Sequence, residues 1–155
     1  ASRFYAVLIG IDAYASYSLH GCVSDVLLME KYLTEDLGVP KDRIQLMVGS
    51  KEHASPKDPM NPSRVHIINA LLGLITHSEI AYGDNIVVYF SGHGSYHPPE
   101  EDDDEYIETL CPIDRDILDA NGANPVPDIS DREFNTILRL ISQAKGPRIT
   151  VILDC

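Results

Sequence analysis

Cysteine is scarce in this 155-residue chain, and the three that occur, Cys22, Cys111 and Cys155, stand far apart. An odd, widely spaced set offers neither a disulfide framework nor a C-x-x-C metal knuckle, so reduced thiols are expected. Positive charge is also short. Twelve Lys and Arg against 24 Asp and Glu leave a formal charge of -12, which argues against nucleic acid or an anionic membrane as the main partner and for basic substrates. No apolar run is long enough to span a bilayer, and no charged-then-apolar signal segment opens the chain; a soluble, cytoplasmic protein is expected. The first apolar stretch runs into "GIDAY", which has neither the glycines nor the lysine of a phosphate loop, and no G-x-S-x-G elbow occurs.

What the chain does have is an alternation of apolar runs and helical stripes, with a length and a hydrophobic content of 44% that suit one domain around one core. "FYAVLIGID" is nearly continuous apolar sequence and predicts a strand covered on both faces, placed mid-sheet. Cys22, Val26, Met29 and Leu33 recur at helical spacing, with Gly38 and Pro40 as the stop; this predicts a helix of about four turns. "IQLMV" predicts a second strand. Asn61-Pro62 offers a cap and a first-turn proline, and Val65, Ile68, Leu72 and Ile75 give the following helix its inner stripe. "NIVVYFS" predicts a third buried strand that runs straight into Gly92-His93-Gly94. The unbroken acidic block from Glu100 to Glu105 reads as a solvated loop, and "YIETLCPID" as a small hairpin. Ser130 with Glu133 forms a capping box for a helix whose Phe134, Ile137, Leu138 and Ile141 face inward until Gly146-Pro147. The last strand is predicted over Ile149 to Leu153. Strands alternating with helices imply an α/β fold, a mostly parallel sheet with helices on both faces, whose functional groups gather at the carboxyl ends of the strands.

Two strand ends carry reactive side chains. His93, between two glycines, lacks the neighbours on which a core histidine would pack, and its imidazole suits a general base near neutrality. Read blandly, it is a turn histidine. His93 and His97 also form an H-x3-H pair, but Pro98-Pro99 and the flanking glycine work against a helix there and no third soft ligand is near, so zinc is not expected. Cys155 alone is more often a buried core thiol than a nucleophile. At a strand end, with a candidate base on another strand, it fits the thiolate-imidazole arrangement of cysteine peptidases.

"YAVLIGIDAY", "GCVSD", "VVYFSGHGS", "ETLCPID" and "ITVILDC", in this order and spacing, resemble the caspase-like domain of metacaspases, fungal members above all. The resemblance covers essentially the whole chain. It implies a caspase-like three-layer sandwich, with residues 1–155 forming the larger portion of the catalytic domain and the sheet truncated after its fourth core strand. It implies a cysteine endopeptidase acting in proteolysis and programmed cell death. His93 matches the catalytic base, and Gly94 would lend its N–H to the oxyanion hole. The family's nucleophile motif reads Asp, any residue, Cys, His, Ser, Gly. Asp154 fits its first place, which puts Cys155 in the variable second place and the nucleophile one residue further on; a competing register makes Cys155 itself the nucleophile. Cys22, Asp25, Ser91 and Asp154 match the lining of the primary pocket, where two carboxylates would favour cleavage after Arg or Lys and repel Asp. Asp25 read blandly is a first-turn acid that favours the helix dipole.

Many members of that family bind calcium through carboxylates near the acidic loop. Here Ile107 replaces a loop Asp with Glu108 beside it, and the helix-start acid pair reads Asp131-Arg132. Asp102, Asp103 and Asp104 offer compensation, so calcium dependence is expected to be weak or absent and no other cofactor is implied. Basic peptides or proteins are the implied substrates, and the remaining C-terminal part of the caspase-like domain the implied partner. Without it, the last strand's edge stays unpaired and the isolated chain is expected to be sticky and inactive. Two other classes compete: a non-catalytic caspase-like binding or scaffolding module, and an unrelated doubly wound small-ligand-binding domain.

Overall fold

Eight successive apolar residues cannot all face one core, and the strand they form divides them between two. Ala6 and Leu8 point to one face of the sheet, among Val26, Leu33, Val87 and Tyr89. Tyr5, Val7, Ile9 and Ile11 point to the other, among Ile67, Leu71, Phe90 and Ile141. A computed structural model describes residues 3–53, 55–99, 106–118 and 121–155. In chain order its main elements are β1 (Phe4–Ile11), α1 (Cys22–Lys31), β2 (Ile44–Gly49), α2 (Arg64–Thr76), β3 (Asn85–Ser91), β4 (Gly94–His97), β5 (Ile107–Leu110), β6 (Ile129–Ser130), α3 (Asp131–Lys145) and β7 (Ile149–Asp154). β2, β1, β3 and β7 lie side by side in that order, all parallel, so β1 does occupy an interior place. α1 covers one face of this sheet, and α2 and α3, packed together, cover the other. The result is the expected α/β sandwich with helices on both faces.

A second, antiparallel sheet, β4-β5-β6, continues from the carboxyl end of β3. The hairpin expected within "YIETLCPID" is instead made by pairing that segment with the chain after His93: Gly94 faces Leu110 and His97 faces Ile107. The acidic block that joins the two strands lies outside the described residues, as do Asp102, Asp103 and Asp104.

α1 runs on through a π-helical turn over Tyr32–Asp36 and stops at Gly38, whose φ of 63° a side chain would resist. It approaches β1 closely at one point. A Cβ added to Gly10 would lie 2.5 Å from the Cys22 carbonyl oxygen and 2.6 Å from Val26 Cγ2, so only glycine admits the helix at this depth.

α2 departs from its predicted start and stripe. Ser63 caps it, its hydroxyl accepting the His66 N–H at 3.3 Å, while Asn61 is buried and its amide donates to the His53 carbonyl at 2.9 Å. The buried side chains are Ile67, Ala70, Leu71 and Leu74; of the predicted stripe, Ile68 and Ile75 pack against this core, whereas Val65 is 57% and Leu72 38% exposed. Because "VHIINALLGLIT" is apolar on most sides, several stripes at three-four spacing fit it, and packing selected one rotated by about 100° from the prediction. α3 follows its prediction: Ser130 accepts the Glu133 N–H at 3.1 Å, and Phe134, Ile137 and Ile141 are buried. The Glu133 carboxylate, however, accepts from Arg64 Nη2 with both its oxygens, at 2.8 Å each, instead of closing the capping box.

Candidate active site

His93 lies in the two-residue step between β3 and β4, at the carboxyl end of the parallel sheet. Of its two glycine neighbours, Gly92 is required by close approach and Gly94 is tightly placed. A Cβ on Gly92 would come 2.6 Å from the Tyr14 hydroxyl, and one on Gly94 3.2 Å from Cys155 Sγ. Tyr14 fills the room that Gly92 leaves, so His93 does have a packing neighbour: the two ring centroids are 4.6 Å apart. The Tyr14 hydroxyl accepts the His93 N–H at 2.9 Å and donates to the Cys111 carbonyl at 2.9 Å. Cys111 in turn donates its N–H to the His93 carbonyl at 3.0 Å. Burial pushes the Tyr14 hydroxyl's pKa up, so it remains a donor at any physiological pH.

The imidazole's own contact defines its tautomer. Nε2 sits 2.6 Å from the Tyr17 carbonyl oxygen, a partner that only Nε2–H satisfies, which leaves Nδ1 as the basic nitrogen in the neutral ring. Tyr17 presents that carbonyl from a left-handed backbone, φ 57°.

The four residues assigned to the primary pocket come together at the same sheet end. Ser91 and Asp154 are register partners closing β3 and β7. Cys22 opens α1, and Asp25 stands in its first turn. Tyr89 lies among them: burial raises its hydroxyl pKa first, and the Asp154 and Asp25 carboxylates add to it. The Cys22 thiol is likewise raised by burial, against an opposing hydrogen bond from Ser91. α1 has no side-chain cap of its own. Asp12, just past β1, supplies one by accepting the Cys22 N–H at 3.0 Å and the Val23 N–H at 3.4 Å. Asp12, Tyr14, Tyr17 and Tyr89 were not singled out from sequence. Tyr89 had a usable signal, since it lies two residues before Ser91 and shares its face of the strand.

Cys155 stands apart from this group. It lines a cavity of about 440 Å³ with Glu108, Thr109, Asp131 and Phe134, whereas His93 lines one of about 470 Å³ with Tyr14, Tyr17 and Arg115; Gly94 borders both. Partial burial and then the Asp154 and Glu108 carboxylates raise the Cys155 pKa, so its thiol stays protonated. Cys111 is wholly buried, its thiol pushed up to about 12 chiefly by burial and next by Asp128. All three cysteines are free.

Among the described residues no group of three or more His, Cys, Asp or Glu is placed to hold a metal ion. Glu108 and Asp131 share a cavity wall, but the three remaining calcium candidates are outside the description. His93 and His97 do not converge on a metal: His97 Nε2 meets the buried Asp128 carboxylate at 3.3 Å, where Arg115 also donates at 2.9 Å. No helix among the described residues is long and apolar enough to cross a membrane.

Metacaspase-3 of Arabidopsis thaliana is 35% identical over 152 residues, covering 96% of this chain and 38% of its own length. Metacaspase-7 of the same plant is 32% identical over 154 residues, covering 96% and 33%. Metacaspase-1A of Aspergillus oryzae is 31% identical over 152 residues, covering 96% and 33%. Plant and fungal relatives thus match alike, and the chain spans about a third of the length of these curated relatives. A crystal structure of a Geobacter sulfurreducens protein, 17% identical, shares the fold with a TM-score of 0.61 over 97% of this chain and 48% of that one. A family model described as "Metacaspase, peptidase C14 domain" matches residues 5–155, and the chain belongs to that family.

Proposed function

We propose that this chain is the larger part of the catalytic domain of a cysteine endopeptidase that cleaves after Arg or Lys. The observation that carries the proposal is the meeting of Asp25 and Asp154 around Tyr89, beside Cys22 and Ser91 and at the same strand ends as His93. A guanidinium or ammonium entering this site pairs with two carboxylates, whereas an aspartate side chain is repelled by both. His93 Nδ1 takes the proton of the attacking thiol, and the thiolate adds to the scissile carbonyl while the Gly94 N–H supports the developing oxyanion. The C–N bond breaks as His93 returns the proton to the leaving amine, leaving a thioester that water hydrolyses with His93 again acting as base. The raised Cys155 pKa and its separate cavity favour the register in which the nucleophile is the residue after Cys155.

Matched fluorogenic peptides ending in Arg, Lys or Asp, offered to the full-length protein, test the proposal. Arg and Lys peptides should exceed the Asp peptide in kcat/KM by about 10³-fold or more, and Asp25→Asn should lower the Arg value by roughly tenfold. A preference for Asp would refute the acidic pocket, and no hydrolysis of any of the three would favour a non-catalytic module. The family match leaves the unrelated ligand-binding domain without support. Calcium dependence is proposed to be weak; full loss of activity in chelator, restored by micromolar calcium, would contradict this. A cytoplasmic location is proposed from the sequence and is checked by fractionation.

A further inference from the structure

We propose that the cavity of about 470 Å³ beside His93 receives the substrate residue immediately after the scissile bond and takes a large apolar or aromatic side chain in preference to an acidic one. The inference rests on the peptidase reading above and extends it. Because His93 must hand its proton to the leaving amine, the leaving residue departs past the imidazole. The acid cluster occupies the α1 face of the sheet, where Tyr89 packs, and Ser91 shares its side of β3. Tyr14 and Phe90 belong to the opposite core, and the cavity opens there with His93 and Gly94 in its wall. A peptide crossing the strand ends therefore places the side chain before the bond among the acids and the next one in this cavity.

The lining defines the chemistry. Tyr17 is 89% and Ile117 51% exposed, a large uncovered aromatic and aliphatic surface, while Ala15 and Ser16 between the tyrosines leave room. The Arg115 charge is already matched by acids, although its Nε makes no hydrogen bond. The guanidinium donates to the buried Asp128 at 2.9 Å and lies 3.8 Å from Asp116, whose side chain is 80% exposed at the cavity. The buried Asp128 offsets the Arg115 charge from behind the wall, and the exposed Asp116 carboxylate is what an incoming acidic residue meets, which disfavours it. Tyr17 and Asp116 are also the only non-glycine positions among the described residues with a positive φ, 57° and 61°, and such strain persists where surrounding structure holds it for a purpose.

Internally quenched peptides identical except for Phe, Leu, Gly or Asp after the cleaved Arg, given to the full-length protein, test this. The Phe and Leu peptides should exceed Gly about tenfold in kcat/KM, with Asp below Gly. Tyr17→Gly accepts the left-handed backbone and keeps the carbonyl on His93 while removing the ring, so the Phe-to-Gly ratio should fall toward one; Ile117→Ala should reduce it too, and Asp116→Asn should relieve the discrimination against Asp. A flat series in the unaltered protein, a preference for Asp, or a ratio that survives in both apolar variants would overturn the inference while leaving the peptidase reading intact. No turnover of any Arg peptide would overturn both.

Discussion

Replacing Tyr14 by Phe removes one oxygen atom and strands two backbone groups. The hydroxyl accepts the His93 N–H and donates to the Cys111 carbonyl, each at 2.9 Å, from a residue 5% exposed. The ring, its contact with the imidazole at 4.6 Å between centroids and the shape of the core are retained, so the change isolates the two hydrogen bonds. A buried group left without a partner costs about 1–3 kcal/mol. With the Cys111 carbonyl fully buried and the His93 N–H partly so, the variant should lose about 2–4 kcal/mol. At this chain length that corresponds to a drop in Tm of about 5–15 °C. Urea unfolding followed by far-UV circular dichroism measures the loss, and an unchanged m-value would show that the two end states are the same.

A second signature comes from pH. Burial raises the folded-state pKa of the Tyr14 hydroxyl, so its stabilising contribution is complete below the unfolded value of about 10 and declines as pH rises above it. Tyr14→Phe should remove that part of the alkaline slope. A loss smaller than about 0.5 kcal/mol, or an alkaline slope identical to that of the unaltered protein, would refute the assignment of Tyr14 as the support of His93.

Gly10→Ala places a methyl 2.5 Å from the Cys22 carbonyl oxygen and 2.6 Å from Val26 Cγ2; α1 must move, at a cost of about 1–3 kcal/mol, and Arg-peptide hydrolysis should fall with the displaced Asp25. Ser130→Ala removes the cap of α3 at Glu133 and should cost about 1 kcal/mol by thermal unfolding. Burial alone would raise the Asp84 carboxyl, but Arg3 and the Ala81 N–H, each at 2.9 Å, outweigh it and hold it below the ordinary value. The stability this gives is present above about pH 4 and is lost as pH falls through the folded pKa; acid titration of Asp84→Asn should lack that loss.

The parallel strands were legible because each is a dense apolar run ended by a glycine, a polar turn or a charged pair, and β3 matches its predicted bounds. His93 drew attention because it stands between two glycines at a strand end, although Tyr14 packs against it there, and the pocket acids because the resemblance assigned them residue by residue. The supports of the site were not. Asp12 caps α1 from another element, Tyr14 acts through a hydroxyl from a loop without periodicity, and Tyr17 acts through its backbone carbonyl, which no side-chain pattern encodes. The stripe of α2 was half right, Ile68 and Ile75 packing inward and Val65 and Leu72 facing out, for the opposite reason: an excess of apolar residues left the period ambiguous.

The two consecutive residues at the end of β7 show how much a pleat decides. Gly10, Ser91 and Asp154 lie in one lateral row across β1, β3 and β7, so a side chain at 154 on the Ser91 face joins Tyr89 and the acids. Successive strand residues alternate faces, so the chain that delivers Asp154 to the α1 side delivers its neighbour Cys155 to the other, beside Gly94, Phe134 and Asp131. Asp154 and Cys155 therefore cannot both serve the acidic pocket. A slip of β7 by one residue would put Leu153 or Cys155 where the carboxylate stands and abolish the charge that selects a basic substrate. The register is held by the inward Ile149 and Val151, which pack into the α2/α3 core. The same two side chains that stabilise the edge of the sheet thus fix which of its terminal residues meets the substrate.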